Sequence, residues 1–360
     1  MSHVTLDVIA SKLSATVSSP QTGMGPMRRP TFATIAQESG VSVTTVERVL
    51  NGRGGVNLDK TERVISAALR LGWDRRLPEL HRGMIRIEFI IARPETTFFA
   101  RLVDEFDKIA QSLDSRVALH RTVLPDDPEL FARRIVGSGL QRAGLIVVGA
   151  DHHLVREALA KVRATGTYII QIVTRAFGTE LDYVGIDNYS AGRTAAMYIW
   201  RMCREKGVVI ALCPGNTFEA HRERIRGFSD YVDAHPSPDL QFERVMFGRD
   251  DGPYGASVLE SCLKERDDIV GFYNSGGHNS LIGPVLTSHG KGRRIFFVGH
   301  EFNPWSEVAL REGRMDVVLD QAPEVQARRA LDMVLYRVGL TTSAVPNPPI
   351  RFTTMTAESA

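Results

Sequence analysis

The chain has 360 residues and a formal net charge of only +2. Residues 1–86 hold twelve Lys or Arg against seven Asp or Glu, so they carry +5 and the remainder carries −3, which favours a nucleic-acid contact confined to the N-terminus. No apolar run approaches the roughly 18 residues of a membrane span, no signal-peptide pattern opens the chain, and the three cysteines are widely spaced. We therefore expect a cytoplasmic protein rather than a membrane, exported or disulfide-stapled one.

The first 27 residues are rich in Ser, Thr, Gly and Pro and predict a flexible tail, because they bury too little apolar surface to offset chain entropy. Short segments with helical apolar spacing follow from Thr31 and predict a compact helical domain over residues 28–73. Residues 74–84 contain Pro78 and alternating charges, which is typical of a connector.

Two of the predicted helices flank Gly40, which permits a tight turn between them. Ser42 can cap the second of these helices, and Val46 and Val49 would pack on the first. In a helix-turn-helix, the second helix enters the major groove and its exposed side chains meet base edges. The exposed side chains here are Val43, Thr44, Glu47 and Arg48.

The run TFATIAQESGVSVTTVERVLNG, followed by VNLDKTERVISAALRLGW, resembles the DNA-binding headpiece of the lactose-repressor (LacI) family. The resemblance implies a homodimer that binds double-stranded DNA at a palindromic operator. It assigns the main base-reading positions to Val43 and Thr44 and a later one to Arg48. The other positions that it implies at the DNA are Thr34, Ser42, Thr45, Asn51 and Lys60.

Two features of this region depart from the family pattern. Glu47 stands where the family usually has Ser, and its carboxylate could accept a hydrogen bond from a cytosine amino group or orient Arg48. The family also inserts a short hinge helix with a leucine into the minor groove. Here the connector is shorter and contains Pro78, although Leu80 could supply the leucine wedge. The operator sequence and the hinge helix therefore stay open.

Beyond the connector, apolar runs of strand length alternate with helical segments. Such runs, separated by a helix each, predict parallel strands joined by right-handed crossovers in a doubly wound α/β body. The predicted strands are 85–92, 144–150, 167–173, 208–213, 269–274 and 294–300. The body also lacks the GxSxG, P-loop and GxGxxG motifs, so we expect no enzyme and no cofactor or metal.

Residues 85–360 resemble the two-lobed type I periplasmic-binding-protein domain, in which three strands cross between lobes and a ligand lies between them. The resemblance implies a small sugar or polyol as effector. Phe98 and Phe99 would stack on the ring, and Arg224 would hold hydroxyl groups. The remaining ligand positions that it implies are Thr174, Arg175, Asn274, Glu301 and Gln321. His278 and His300 flank this cleft in sequence and could also contact the ligand, although we expect structural roles for both.

These observations predict a sugar-controlled, DNA-binding transcriptional regulator, acting as a repressor of a carbohydrate operon. The alternative is a cytoplasmic sugar-binding or sugar-modifying protein whose helical domain contacts other proteins. A catalytic group for sugar modification is not apparent in the sequence.

Overall fold

The computed structural model describes residues 30–53, 55–56, 58–73, 85–92, 96–137, 142–176, 178–215, 217–289 and 294–360. The expected tail, residues 1–27, and the expected connector, residues 74–84 with Pro78 and Leu80, lie outside the described residues. No helix in the described part of the chain is long and apolar enough to cross a membrane.

Three short helices form an N-terminal unit, which we call the headpiece: α1 (Phe32–Ser39), α2 (Val43–Leu50) and α3 (Leu58–Arg70). Thr31 caps α1, and Gly40 ends it in a left-handed conformation with φ of 65°. Ser42 Oγ accepts a hydrogen bond from Thr45 N at 3.2 Å and so caps α2. The apolar faces of the three helices pack around a small core that includes the fully buried Val46.

Lobe 1 is a five-stranded sheet in the order β2-β1-β3-β4-β5, with all neighbouring strands parallel. Its strands are β1 (Ile85–Ala92), β2 (Val117–Leu124), β3 (Gly144–Val147), β4 (Tyr168–Ile172) and β5 (Asp182–Val184). The helices between these strands are α4 (Thr97–Ser112), α5 (Pro128–Val136) and α6 (His153–Ala164). The strand order reverses between β1 and β3, which is where doubly wound sheets bind ligands.

Lobe 2 is a six-stranded sheet in the order β11-β10-β9-β8-β6-β7. Its strands are β6 (Gly207–Cys213), β7 (Leu240–Phe247), β8 (Ile269–Asn274), β9 (Phe296–His300), β10 (Val317–Asp320) and β11 (Thr353–Met355). Its helices are α7 (Asn188–Met202), α8 (Glu219–Ala234), α9 (Gly252–Glu265), α10 (Asn279–His289) and α11 (Pro304–Arg311). The strands are parallel except that β11 runs antiparallel to β10, which departs from the all-parallel expectation.

The chain passes between the lobes three times. It leaves lobe 1 after β5 and enters α7, and it leaves lobe 2 after β10 and enters α12 (Pro323–Arg337), which packs on α4 and the lobe 1 sheet. It returns to lobe 2 before β11, and the first and third passages pair through Ile186 and Ile350. The predicted two-lobed, doubly wound fold with an all-α headpiece is therefore confirmed.

Each of the six predicted strands is present; β1 and β8 have the predicted ends, and the ends of the other four differ from the prediction by at most three residues. Five further strands, β2, β5, β7, β10 and β11, were not predicted. β2 and β7 are partly exposed edge strands that mix apolar and charged residues, and the other three are only three or four residues long.

Candidate functional site

The second helix of the headpiece presents the side chains that the sequence predicts at the DNA. Val43 is 47% exposed, and Thr44 and Arg48 are exposed beside it. Val46 and Val49 are buried on the opposite side of α2, which fixes the direction of the exposed face. This helix can therefore enter a groove without unfolding its own core.

The other predicted DNA-contacting residues lie around this face, and the hydroxyls of Thr34 and Thr45 already have hydrogen-bond partners within the headpiece. Thr34 exchanges hydrogen bonds with Thr31 and closes the α1 cap, so its hydroxyl has a structural partner. Thr45 Oγ1 lies 2.8 Å from Ser42 Oγ. The two remaining predicted DNA contacts, Asn51 and Lys60, are both exposed.

Glu47 is partly exposed on α2, and one of its carboxylate oxygens lies 3.7 Å from Arg53 Nη1. Arg53 is thus a cation near the groove-facing surface that the sequence analysis did not select. Its ion pair with Glu47 offsets the charge of a carboxylate that would otherwise approach phosphates unpaired. The expectation that Glu47 orients Arg48 stays a prediction.

A second candidate site is an inter-lobe cavity of about 60 Å³ at the carboxyl ends of the strands. Six of the eight predicted effector residues line it: Phe98, Phe99, Thr174, Arg224, Glu301 and Gln321. The space holds roughly four to six water molecules, since one water needs about 10–15 Å³.

Arg224 on α8 is the central side chain of this cavity and is 2% exposed. Its Nε donates to Asn188 Oδ1 at 2.8 Å, its Nη1 to Ser275 O at 2.8 Å and its Nη2 to Gln321 Oε1 at 2.6 Å. Among the described residues these bonds use three of its five N–H groups. Burial lowers the pKa of the guanidinium. Arg224 therefore ties two of the passages between the lobes to lobe 2 and retains hydrogen-bonding capacity for a ligand.

The position of Arg224 depends on a close approach of α7 and α8. A Cβ atom added to Gly192 of α7 would lie 1.9 Å from Arg224 O, and one added to Gly227 of α8 would lie 2.0 Å from Tyr189 O. Neither helix tolerates a side chain at this crossing. The pair of glycines thus brings the backbone of Arg224 directly against the first passage between the lobes.

Glu301 follows β9 with a φ of 70°, which is unusual for a residue other than glycine. The pKa of its carboxyl is raised to about 7, mainly by burial, with a smaller contribution from Asp320 and with the charges of Arg224 and Arg101 opposing the rise. The group therefore changes charge near neutral pH. In its neutral form it can both donate and accept hydrogen bonds.

Backbone strain is concentrated at this cavity. Six residues other than glycine have a positive φ in the described part of the chain, and four of them line the cavity: Val173, Asp250, His278 and Glu301. Such conformations cost about 1–3 kcal/mol each and cluster at ligand sites. For the β-branched Val173, with a φ of 72°, the conformation is a clear outlier.

Two predicted effector residues lie outside the cavity lining. Asn274 is fully buried, and its Nδ2 donates to Gly277 O and Asn279 Oδ1, both at 2.8 Å, so it shapes the turn after β8. Arg175 points away from the cavity and donates from Nε to Glu219 Oε1 at 2.8 Å. The strand-end position alone did not determine the direction of either side chain.

Four polar residues of the lining were not selected from the sequence: Thr96, His221, Asp250 and His278. Thr96 precedes α4 but does not cap it, and its Oγ1 is buried with no hydrogen-bond partner among the described residues. A ligand hydroxyl would satisfy it. The expected structural role fits His300, which is fully buried with Nε2 2.9 Å from Tyr273 Oη, but His278 faces the cavity.

Polar contacts hold the two lobes together beside the cavity. Arg222 on lobe 2 donates to Asp151 Oδ2 on lobe 1 at 2.6 Å, and Asp151 N donates to Thr217 O at 2.8 Å. Arg101 on lobe 1 donates to Phe302 O and to Asp320 Oδ1 on lobe 2, both at 2.7 Å. The lobes are therefore closed over the cavity in this structure.

Comparison with known proteins finds a match for each of the two parts of the chain. Residues 31–75 match the model of the lacI family of bacterial regulatory proteins, and residues 139–339, more than half of the chain, match a periplasmic binding protein domain. The chain is 25% identical over 241 residues to the ribose import binding protein of Haemophilus influenzae, covering 66% of this chain and 80% of that one. It is 28% identical over 235 residues to an HTH-type transcriptional regulator of Mycobacterium tuberculosis, covering 61% and 62% of the two chains.

Among solved structures, a solute binding protein of Bacillus halodurans with bound myo-inositol superposes with a TM-score of 0.69 at 16% identity, covering 77% of this chain and 96% of that one. This likeness establishes the fold alone. The matching families are ligand-binding and DNA-binding proteins rather than enzymes, which confirms that prediction. The chain belongs to the LacI family of bacterial regulatory proteins and is a DNA-binding transcriptional regulator with a periplasmic-binding-protein body.

Proposed function

We propose that the protein is a cytoplasmic repressor of a carbohydrate uptake or catabolism operon, released from its operator by a small sugar or polyol. The observation that carries this proposal is the combination, in one chain, of an exposed recognition helix and a strained, polar cavity between two lobes. We assign residues 1–27 to a tail, 28–73 to the DNA-binding domain, 74–84 to the hinge and 85–360 to the effector-binding and dimerisation domain.

The chemistry of the cavity supports a polyhydroxy effector. Arg224 and Gln321 are side chains of the kind that bind vicinal hydroxyls, and Phe98 and Phe99 offer aromatic faces. Thr96 contributes a hydroxyl that has no hydrogen-bond partner within the described part of the chain. The small volume favours a single sugar ring or a shorter polyol over a disaccharide. The ribose import binding protein and the myo-inositol-bound protein make D-ribose and myo-inositol the first ligands to test.

The proposed mechanism requires a homodimer, because two headpieces must reach two half-sites of a palindromic operator together. Effector bound by Arg224, Gln321 and Glu301 would alter lobe closure, which changes the spacing of the headpieces. A small rotation then loses one half-site and most of the affinity.

The experiment has two stages. Full-length protein selects duplexes from a random DNA pool, and the recovered sequences are examined for two-fold symmetry. Gel-shift titrations with the recovered site are then repeated with D-ribose, myo-inositol and a panel of pentoses, hexoses and polyols. Weaker DNA binding with one sugar supports the proposal, tighter binding identifies a corepressor, and no selected sequence overturns it.

A further inference from the structure

The headpiece contacts lobe 1 at the face opposite the cavity. Arg337, the last residue of α12, donates from Nη1 to the carbonyl oxygen of Trp73, which follows α3. Gly166, just before β4, approaches Ser66 of α3 so closely that an added Cβ would lie 3.2 Å from Ser66 Cβ. We call the lobe 1 residues at this contact, Gly166, Tyr168, Asp182 and Arg337, the dock.

The dock residues hold one another in position. The Arg337 guanidinium lies 5.3 Å from the centre of the Tyr168 ring, a distance at which cation and ring attract each other. Tyr168 Oη in turn donates to Asp182 Oδ2 at 2.5 Å. Tyr168 and Asp182, the first residues of β4 and β5, therefore hold the Arg337 guanidinium in position to bind the headpiece.

Two rigid elements run from the dock to the effector cavity. Helix α12 ends at Arg337, and just before its start lie Gln321, which lines the cavity, and Ala322, whose φ is 49°. Strand β4 starts at Tyr168, and the two residues after its end, Val173 and Thr174, line the cavity. A helix of 15 residues spans about 22 Å, so α12 crosses the whole of lobe 1.

Helix α12 packs directly on the lobe 1 sheet. Its inner face is buried, and a Cβ atom added to Gly144 of β3 would lie 2.5 Å from Val334 Cγ1, so helix and sheet are in direct contact. A displacement of Gln321 is therefore carried along the helix to Arg337, because a close-packed helix on a sheet does not absorb it locally.

The contact between headpiece and dock is narrow. Open grooves of about 500 and 300 Å³ flank it, the first lined mainly by α1 and α3 and the second by the dock and the end of α3. Contacts of this kind form and break easily. Val43 on the recognition helix stays exposed while the headpiece is docked, so docking leaves the DNA-reading face free.

We propose that the dock orients the recognition helix and that α12 and β4 transmit the state of the effector cavity to it. Docked headpieces present both recognition helices at a fixed angle. The entropy of orienting the headpieces is therefore lost before DNA binds and does not weaken DNA binding. Effector binding shifts Gln321 and Thr174, displaces Arg337 and Tyr168, and loosens the headpiece. The DNA-affinity part of this inference rests on the proposed function, whereas the contact and its coupling to the cavity do not.

The first test is amide hydrogen exchange of the full-length chain, read at residues 66–73 without DNA or sugar. Arg337→Ala is expected to speed exchange there about tenfold, since it removes a hydrogen bond from a charged group. Ser66→Tyr, which places a large side chain against Gly166 from the headpiece side, is expected to do the same. Arg328→Ala, an exposed charge on the same helix, is the control and leaves exchange unchanged. Wild-type exchange in both dock variants overturns the inference.

The second test measures coupling without a ligand. Gln321→Ala is expected to alter exchange at residues 66–73 in the wild-type background and to have no further effect once Arg337→Ala is present. Additive effects of the two substitutions mean that cavity and dock are independent, which overturns the transmission step. Because neither measurement needs DNA or sugar, their outcome is separate from that of the proposed function.

The third test uses the selected DNA site and the sugar that releases it. Arg337→Ala and Ser66→Tyr are expected to weaken sugar-free DNA binding about three- to tenfold and to shrink the ratio of affinities without and with sugar. Tighter DNA binding in these variants would mean that docking opposes DNA binding, and an unchanged ratio would mean that the dock transmits nothing. Either result overturns the proposal.

Discussion

Replacing Arg224 by Met removes the guanidinium that joins the passages between the lobes to the cavity while keeping a long, flexible side chain. Three buried acceptors, Asn188 Oδ1, Ser275 O and Gln321 Oε1, lose their donor. Each unsatisfied acceptor costs about 1–3 kcal/mol, but the variant also avoids burying a charge. We expect a net loss of about 2–4 kcal/mol in the free energy of unfolding and a similar loss in the free energy of effector binding.

Urea unfolding of the full chain and calorimetric titration with the identified sugar measure the two losses. The control is Arg226→Met on the same helix, whose guanidinium pairs with Glu223 at the surface and is 57% exposed. It should cost less than about 1 kcal/mol and leave sugar binding intact. If Arg224→Met unfolds like the control and binds sugar normally, Arg224 neither holds the lobes nor contacts the effector.

Three further predictions concern charge, DNA and assembly. The pKa of Glu301 rises to about 7 in the folded chain, so its contribution to stability is complete below pH 4.5 and lost as pH rises through 7. Glu301→Gln should therefore flatten the stability profile between pH 5 and 8, and stabilise the protein at pH 8 by up to about 3 kcal/mol in urea unfolding. Arg48→Ala should weaken binding to the selected DNA by about 1–3 kcal/mol without altering sugar affinity, and wild-type sequence preference in a competition gel shift would contradict the recognition-helix assignment. Full-length protein should sediment as a dimer or larger at micromolar concentration, and the headpiece alone, residues 28–84, should bind DNA far more weakly and with a steep salt dependence. A monomer that binds an asymmetric site as tightly as a palindrome would contradict the dimer.

Local signals determined the headpiece. Capping by Ser42, the turn at Gly40 and the burial of Val46 and Val49 depend on residues close together in sequence, and each was predicted from that spacing. The buried strands of the body were predicted for a similar reason. A strand covered on both faces needs an unbroken apolar run, and such a run is visible without knowing its neighbours.

Edge strands carried no such signal. Strand β2, with the sequence VALHRTVL, is partly exposed and resembles a loop or a helix in composition. Strands β5, β10 and β11 have three or four residues, too few for a period to emerge. Their pairing is set by the sheet that they join and not by their own residues.

The sequence by itself determined the family, the order of the domains and most of the strand ends that border the inter-lobe cavity. The tertiary structure decided which way each side chain near the cavity points and which groups it bonds to. Asn274 and Arg175 occupy expected positions, but their side chains bond to Asn279 and Glu219 instead. Asp250 and His278 reach the cavity from residues with positive φ angles, which no local sequence pattern reports. The contact between Arg337 and Trp73 joins residues far apart in the chain, and only packing brings such residues together.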